Sequence, residues 1–352
     1  MNAIRDAIAK ASAEAQQKMN LLDRESADRL LALYESVARE LEAALLPYLN
    51  AEGSLRLEVI RDYLRQAQGI LKNLSGLQRT LLDDALNSAA YLGAGVFAEP
   101  EAVRSLLAEA AVRFVDQFIA ADGLKLSDRL YRIDRGASQA IAEALRRAVA
   151  MGQDASATAA DFLARGEPVP PDVLARLGAN TRAALERTLR QALMVDPQNA
   201  YSHALRLFRT ELNRAHGQAY QNGAAAHPDV IGMKYNLSPN HPRTDICDVY
   251  AHANLYGLGP GVYPVGQAPW PAHPNTMSYL TAVFREEVTA RDRAGQQDSV
   301  GYLRTLPATQ QDQILGTAKA QALRAGVLNA SDLETPWKDL RANYEQRGYE
   351  FG

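Results

Sequence analysis

Apolar side chains recur at three- and four-residue intervals over most of the chain. Ile4, Ile8, Ala11, Ala15, Met19 and Leu22 open the series, and Ala27, Leu30, Tyr34, Val37, Leu41 and Leu45 continue it. This is the period of a helix. Pro47 stops it, because proline has no N–H to donate and its ring clashes with the preceding turn. The early part is Ala-rich with a narrow apolar face, which suits a coiled-coil seam, a peripheral arm or a bundle helix better than a membrane-surface helix. Ser54 can cap a helix over 55–74, a second is predicted over 76–90, and a third over 101–120 follows Pro100, a residue tolerated in a first helical turn. Ser127 is an N-cap candidate for a helix that Gly152 should end, and Ser156 or Thr158 starts a short helix to Arg165. GEPVPP at 166–171 reads as a linker. Residues 173–195 return to helix and should stop at Asp196-Pro197, and one more helix covers 198–226.

The pattern changes between residues 227 and 276, where eight prolines and five glycines fall and helical periodicity fails. VIGMKYNLS reads as a short strand, NLYGLGPGVYP as a loop or hairpin, and TMSYLTAVF as a strand. Helices return at 299–304, at 308–325 with Gly326 as C′ residue, and at 331–345. The predicted fold class is mainly α with a small α+β module. Residues 1–165 form a helical N-terminal region (arm plus bundle), 166–197 a linker and connecting helix, and 198–352 an α+β module with short strands, long loops and a helical tail.

Charge and cysteine content narrow the function classes. The chain of 352 residues carries a net charge of −3, without the basic excess of a dedicated nucleic-acid binder. Arginine outnumbers lysine, which we read as genome composition, and a local basic face stays open. One cysteine, Cys247, excludes an intrachain disulfide and a four-cysteine zinc site. The N-terminus lacks the apolar core of a secretory signal, and no stretch approaches the ~18 apolar residues of a membrane span. No membrane partner is expected.

The unusual side chains are concentrated. All six histidines lie between residues 203 and 273 with Cys247 among them. The dense part is His241-Pro242-Arg243-Thr244-Asp245-Ile246-Cys247-Asp248, then His252, then His273-Pro274-Asn275-Thr276. Asp245, Cys247 and His273 are residue types that bind Zn²⁺, with His241, Asp248 or His252 as a fourth ligand. If the segment is an extended strand, Asp245 and Cys247 share a face. The alternative is that proline-flanked histidines and aspartates hold turns together by hydrogen bonds. A third reading makes Cys247 a nucleophile with a histidine base. Upstream, Arg209, Asn213 and His216 recur at helical spacing on one face, suited to clamping the loops, to phosphate, or to solvent, while Glu211 falls nearer Ala215.

RTELNRAHGQAY at 209–220, the strand containing Gly232-Met233-Lys234-Tyr235, the Cys247 turn and PAHPN together resemble the Mu F-like phage head morphogenesis domain. Three further strings resemble its flanks: LSDRLYRIDRGASQAI from 126, DICDVYAHANLYGLGPGVYP from 245, and YLRTLPATQQDQILGTAKAQALRAGVLNASDL from 302. The resemblance covers most of residues 120–340, and 1–120 carry none. It implies a structural, non-enzymatic minor capsid protein of a tailed phage or prophage, made in the host cytoplasm and located in the virion at the portal vertex or inner shell. The implied partners are the portal protein, the major capsid or scaffolding protein, and weakly the packaged DNA. Residue by residue, Cys247 and His273-Pro274-Asn275 match the family pattern; together with Arg209, Glu211 and Arg214 of the resembling helix string and His241, Asp245 and Asp248 of the first turn they are the candidate structural motif residues. The family usually has HPNCxC at the second turn, where this chain has Thr276 and Ser278. A metal site would therefore have few thiolates. The competing function is a phage-delivered effector enzyme or toxin using the His/Asp/Cys cluster.

Overall fold

The periodic N-terminal segment forms one long helix. The computed structural model describes residues 2–120, 122–195, 198–239, 241, 243–349 and 351; the expected stop at Asp196-Pro197 and Pro242 of the first turn lie outside the described residues. Helix α1 spans Asn2–Leu45, and a 3-10 turn at Leu46–Tyr48 follows where Pro47 ends it. Then come α2 (Ile60–Ala94), α3 (Glu101–Gln117) and α4 (Leu126–Ala164). Short helices α5 (Pro171–Leu177) and α6 (Arg182–Arg190) lead through a π turn at Gln191–Val195 to α7 (Ala200–Ala225). The α+β part contains β1 (Val230–Asn236), α8 (Ile246–His252), β2 (Val262–Pro264) and β3 (Tyr279–Phe284). Helices α9 (Ala290–Ala294), α10 (Ser299–Thr305), α11 (Ala308–Leu315), α12 (Thr317–Arg324) and α13 (Trp337–Gln346) complete the tail. The architecture is mainly α with a small antiparallel sheet, as the periodicity predicts. No helix of the described residues is long and apolar enough to cross a membrane.

Several expected breaks are absent. Ser54 caps nothing: it bridges to Thr181, and the helix begins at Ile60 and runs unbroken past Ser75 and Gly76. Gly152 does not end α4. A Cβ there would lie 2.5 Å from Asn180 Oδ1, so the glycine is a notch for a buried side chain whose amide donates to Leu55 O at 3.3 Å. The helix cost of a glycine, about 1 kcal/mol, is offset by that packing. GEPVPP is a turn within one compact unit, with Val169 and Val173 packed on Ala155 and Ala159 of α4. The 173–195 and 308–325 helices are each divided, the latter at Gly316 with φ 74°.

The compact units do not follow the linear boundaries at 165 and 197. One contains residues 22–85 and 115–208, the other 1–21, 86–114 and 209–352, because long helices contribute to both. In the first unit, Tyr34 donates to Gln78 Oε1 at 3.0 Å and Tyr63 to Leu41 O at 3.1 Å, both in the interior. Arg79 binds Asp83 and Asp116 at 2.8 and 3.0 Å.

In the second unit the strand order is β2-β1-β3. Met233 pairs with Tyr263 on one side and Ala282 on the other. Period-two alternation sends Met233 and Tyr235 into a core with Tyr220, Cys247, Tyr250, Tyr263, Leu280 and Phe284, and Ala15 of α1 belongs to the same cluster. Residues 2–21, whose role as arm or bundle helix was open, thus pack here. Tyr220 OH ties Ser12 Oγ at 2.8 Å and accepts from Ala282 N at 3.0 Å. Helix α8 is buried on both sides: Cys247, Tyr250 and Ala251 face the sheet core, while Val249 and Ala253 face a tail cluster of Val300, Leu303, Leu323 and Tyr344.

Candidate functional site: two pinned turns

Asp245 and Cys247 do not lie on a strand. Asp245 is the N-cap of α8, its side chain accepting from Cys247 N at 2.7 Å, and Asp248 three residues on accepts from Asp245 N at 2.8 Å. This reciprocal capping box satisfies donors that a helix start leaves orphaned. It also turns Cys247 into the core, where its thiol is fully buried. His241 closes the first turn, with Nε2 3.1 Å from Asp248 and 3.6 Å from Asp245.

The second turn arrives through His273. Its Nε2 lies 3.2 Å from Cys247 Sγ and 3.3 Å from Asp245 Oδ2, and its Nδ1 lies 2.9 Å from Pro274 O. Asn275 takes φ 67°, a left-handed conformation that asparagine tolerates better than most residues. Tyr235 OH donates to Cys247 Sγ at 3.1 Å, and Thr276 Oγ1 lies 3.7 Å from the same sulfur. The two turns meet at this one thiol.

Helix α7 holds the second turn from the other side. Asn213 Nδ2 donates to Thr276 O at 2.9 Å and Ser278 O at 3.2 Å, and Thr210 Oγ1 accepts from Asn275 N at 2.9 Å. Trp270 lies over Gly217, where a Cβ would collide with its indole, and its Nε1 donates to Asn213 O at 3.4 Å. The α7 face is not solvated: Thr210, Glu211, Asn213, Arg214 and His216 are all buried. Glu211 and Arg214 form a buried ion pair at 2.8 Å. Arg209 sits half-buried on α7. His216 is no clamp. Burial lowers it to about 4, so its ring is neutral near pH 7, and Nε2 has no hydrogen-bond partner among the described residues. His252 is exposed and outside the cluster, its ring stacked on Tyr302 and Nδ1 2.7 Å from Asp248 O.

Residue by residue, His241, Asp245, Cys247, Asp248, His273 and Asn275 come together in the two turns, and Glu211 and Arg214 pair beneath them. Sequence reasoning missed Tyr235 and Thr210. The alternation of Met233 and Tyr235 marks both as inward-facing, and that signal could have found the tyrosine. Helical spacing from Asn213 could have flagged Thr210, which lies one turn before it.

The ligand atoms of Asp245, Cys247 and His273 lie within 4.8 Å of one another, a cluster able to hold a metal ion; His241, Asp245 and Asp248 form a second such set sharing Asp245. No family model matches this chain, and no curated protein or solved structure does either.

The electrostatics favour a charged Asp245–His273 contact. The hydrogen bond to Asp245, helped by Cys247 and opposed by burial, raises His273 from 6.5 to about 10. Burial pushes Asp245 up, but bonds from His273 and the Cys247 N–H outweigh it and bring the carboxyl from 3.8 down to about 2. A raised histidine adds stability that is complete below its unfolded value and fades as pH climbs through the folded one. A depressed aspartate adds stability above its unfolded value that is lost as pH falls through the folded one. The contribution is therefore full between pH 3.8 and 6.5 and declines towards about 10 and about 2. Partial exposure to solvent damps it. In chelator, the urea midpoint should fall from pH 6.5 to 10, and His273→Gln should flatten that limb. An equal slope in both proteins would refute the assignment.

Proposed function

We propose that the chain is a structural minor capsid protein of a tailed phage or prophage, acting in head assembly or genome delivery from the portal vertex or inner shell. The observation that carries this reading is the meeting of HPRTDICD and HPN at Cys247 and His273, 3.2 Å apart. The strings that resemble the Mu F-like domain are the ones that pin its loops. A module pinned by buried contacts presents a fixed surface to portal and shell proteins, which suits docking. The full burial of Cys247 and its bond from Tyr235 weigh against an effector with a cysteine nucleophile, since a nucleophile must reach substrate. In a host carrying the phage genome, the Cys247→Ala/His273→Ala allele should reduce filled heads. Normal heads with a defect only after DNA entry would favour the effector.

We further propose that the pins can hold one Zn²⁺. Ligand atoms around tetrahedral zinc lie roughly 3.3–3.5 Å apart, given Zn–N and Zn–O near 2.0 Å and Zn–S near 2.3 Å, close to the 3.2 and 3.3 Å separations present. The ion would take the place of the proton that His273 Nε2 shares with its neighbours, so uptake releases protons. Elemental analysis of protein purified without chelator should find about one zinc per chain, lost in His273→Ala. Protein free of zinc after incubation with the ion would leave hydrogen bonds as the whole of the join.

A further inference from the structure

We propose that the groove between α2 and α4 binds the phosphate backbone of duplex nucleic acid through Arg61, Arg65, Lys72, Arg135 and Arg146. The groove encloses about 200 Å³, and Arg61, Arg65, Gln68, Ser138 and Arg146 line its polar part. On α2, residues 61, 65, 68 and 72 recur at i, i+4, i+7 and i+11; on α4, residues 135, 138, 142 and 146 recur at i, i+3, i+7 and i+11. Each series lies on one helical face, and α2 and α4 are joined near one end by Ser75 bonding to Asp134.

Charge on these two stretches is unbalanced. Residues 61–72 and 134–146 contain five cations and three acids, Asp62, Asp134 and Glu143. Asp62 is bound by Arg65 at 3.2 Å and Asp134 by Ser75. Arg61, Lys72, Arg135 and Arg146 form no ion pair with another described residue, whereas Arg79, Arg165, Arg176 and Arg182 are all paired. Unpaired guanidinium groups match phosphate oxygens with their planar fork of donors.

The shape selects the partner. Eleven residues of helix give the row a length of roughly 16 Å, and each strand of duplex DNA carries one charge per about 3.4 Å of axis, so up to about four or five phosphates of a strand match the row's length. The floor residues Leu64, Ala67, Leu71 and Ile141 are already buried in the fold, leaving little apolar surface for an acidic amphipathic helix. No aromatic side chain lines the groove, which removes the stacking platform that single strands use. The chain's −3 net charge makes binding weak and salt-sensitive rather than tight. This inference does not depend on the virion reading.

The test is fluorescence anisotropy of the purified full chain with a labelled duplex of mixed sequence at about 50–200 mM salt. Four or five phosphate contacts give a log–log salt slope of about −3.6 to −4.5. Arg61→Glu/Arg146→Glu should make the slope shallower by about 1.8 and weaken binding at least tenfold at the lowest salt. Arg113→Glu/Arg341→Glu, the same change in net charge outside the groove, should cost much less. If the reversal unfolds the chain by circular dichroism, Arg61→Gln/Arg146→Gln serves in its place with the same expected slope. No binding at the lowest salt, an unchanged slope, or equal loss in the control pair would overturn the proposal. Displacement by poly-glutamate at equal charge concentration would assign the groove to an acidic protein instead.

Discussion

Glu211→Ala should cost about 3–5 kcal/mol, because removing one member of a buried ion pair takes the opposing charge away from the other. Glu211 and Arg214 are 2% and 8% exposed and sit 2.8 Å apart on successive turns of α7; each also has further polar neighbours. With the carboxylate gone, the buried Arg214 loses this partner on the helix that also carries Asn213 and Thr210. A loss of this size is about a fifth or more of a typical domain's stability. It should appear as a lower denaturant midpoint for the unit containing residues 209–352. Glu211→Leu/Arg214→Met, which removes both charges and keeps the volume, should recover most of it. If the single and double variants lose equally, shape rather than charge governs the pair.

Asn213→Ala is expected to cost roughly 2–6 kcal/mol, since two buried carbonyls lose their donor at about 1–3 kcal/mol each. The affected groups are Thr276 O and Ser278 O. Loss of this clamp should also let the His273 turn drift from Asp245, so His273 titrates closer to its ordinary 6.5 than to about 10. Asn213→Asp keeps the shape but presents acceptors to acceptors, so it should be as harmful at neutral pH and milder in acid, where a protonated carboxyl can donate. Urea denaturation with an NMR titration of the histidine ring measures both effects. A destabilised Asn213→Ala in which His273 still titrates near 10 would separate the clamp from the pinned pair.

How far the sequence was legible depends on whether the deciding contact was local. Pro47 stopped a helix and β1 and β3 formed because proline chemistry and period-two alternation act over a few residues. Gly152 was misread because its reason is Asn180, 28 residues away, which no local pattern reveals. The extended-strand option for Asp245 and Cys247 does not hold: Asp245 and Asp248 stand at capping-box spacing and open α8. That signal is local, but helical periodicity fails over residues 227–276 as a whole and a seven-residue helix is too short to restore it. The join of Cys247 to His273 could be suspected from residue type alone. The roles of Tyr235 and Thr210 needed the fold, because neither residue type announces a pin.

Thr276 and Ser278 fit the proposed docking role. At positions where the resembled family usually has cysteines, Thr276 Oγ1 packs 3.7 Å from Cys247 Sγ and accepts from Ser278 N at 3.3 Å, while both backbone carbonyls take bonds from Asn213. The junction is thus held from three sides by hydrogen bonds that do not require further thiolates.

The most direct test of the structural-protein reading is mass spectrometry of DNA-filled heads purified from a strain producing the phage. The account predicts peptides of this chain in washed particles, at a few copies per head. Absence from filled heads, with the chain abundant in the same lysate, would contradict it.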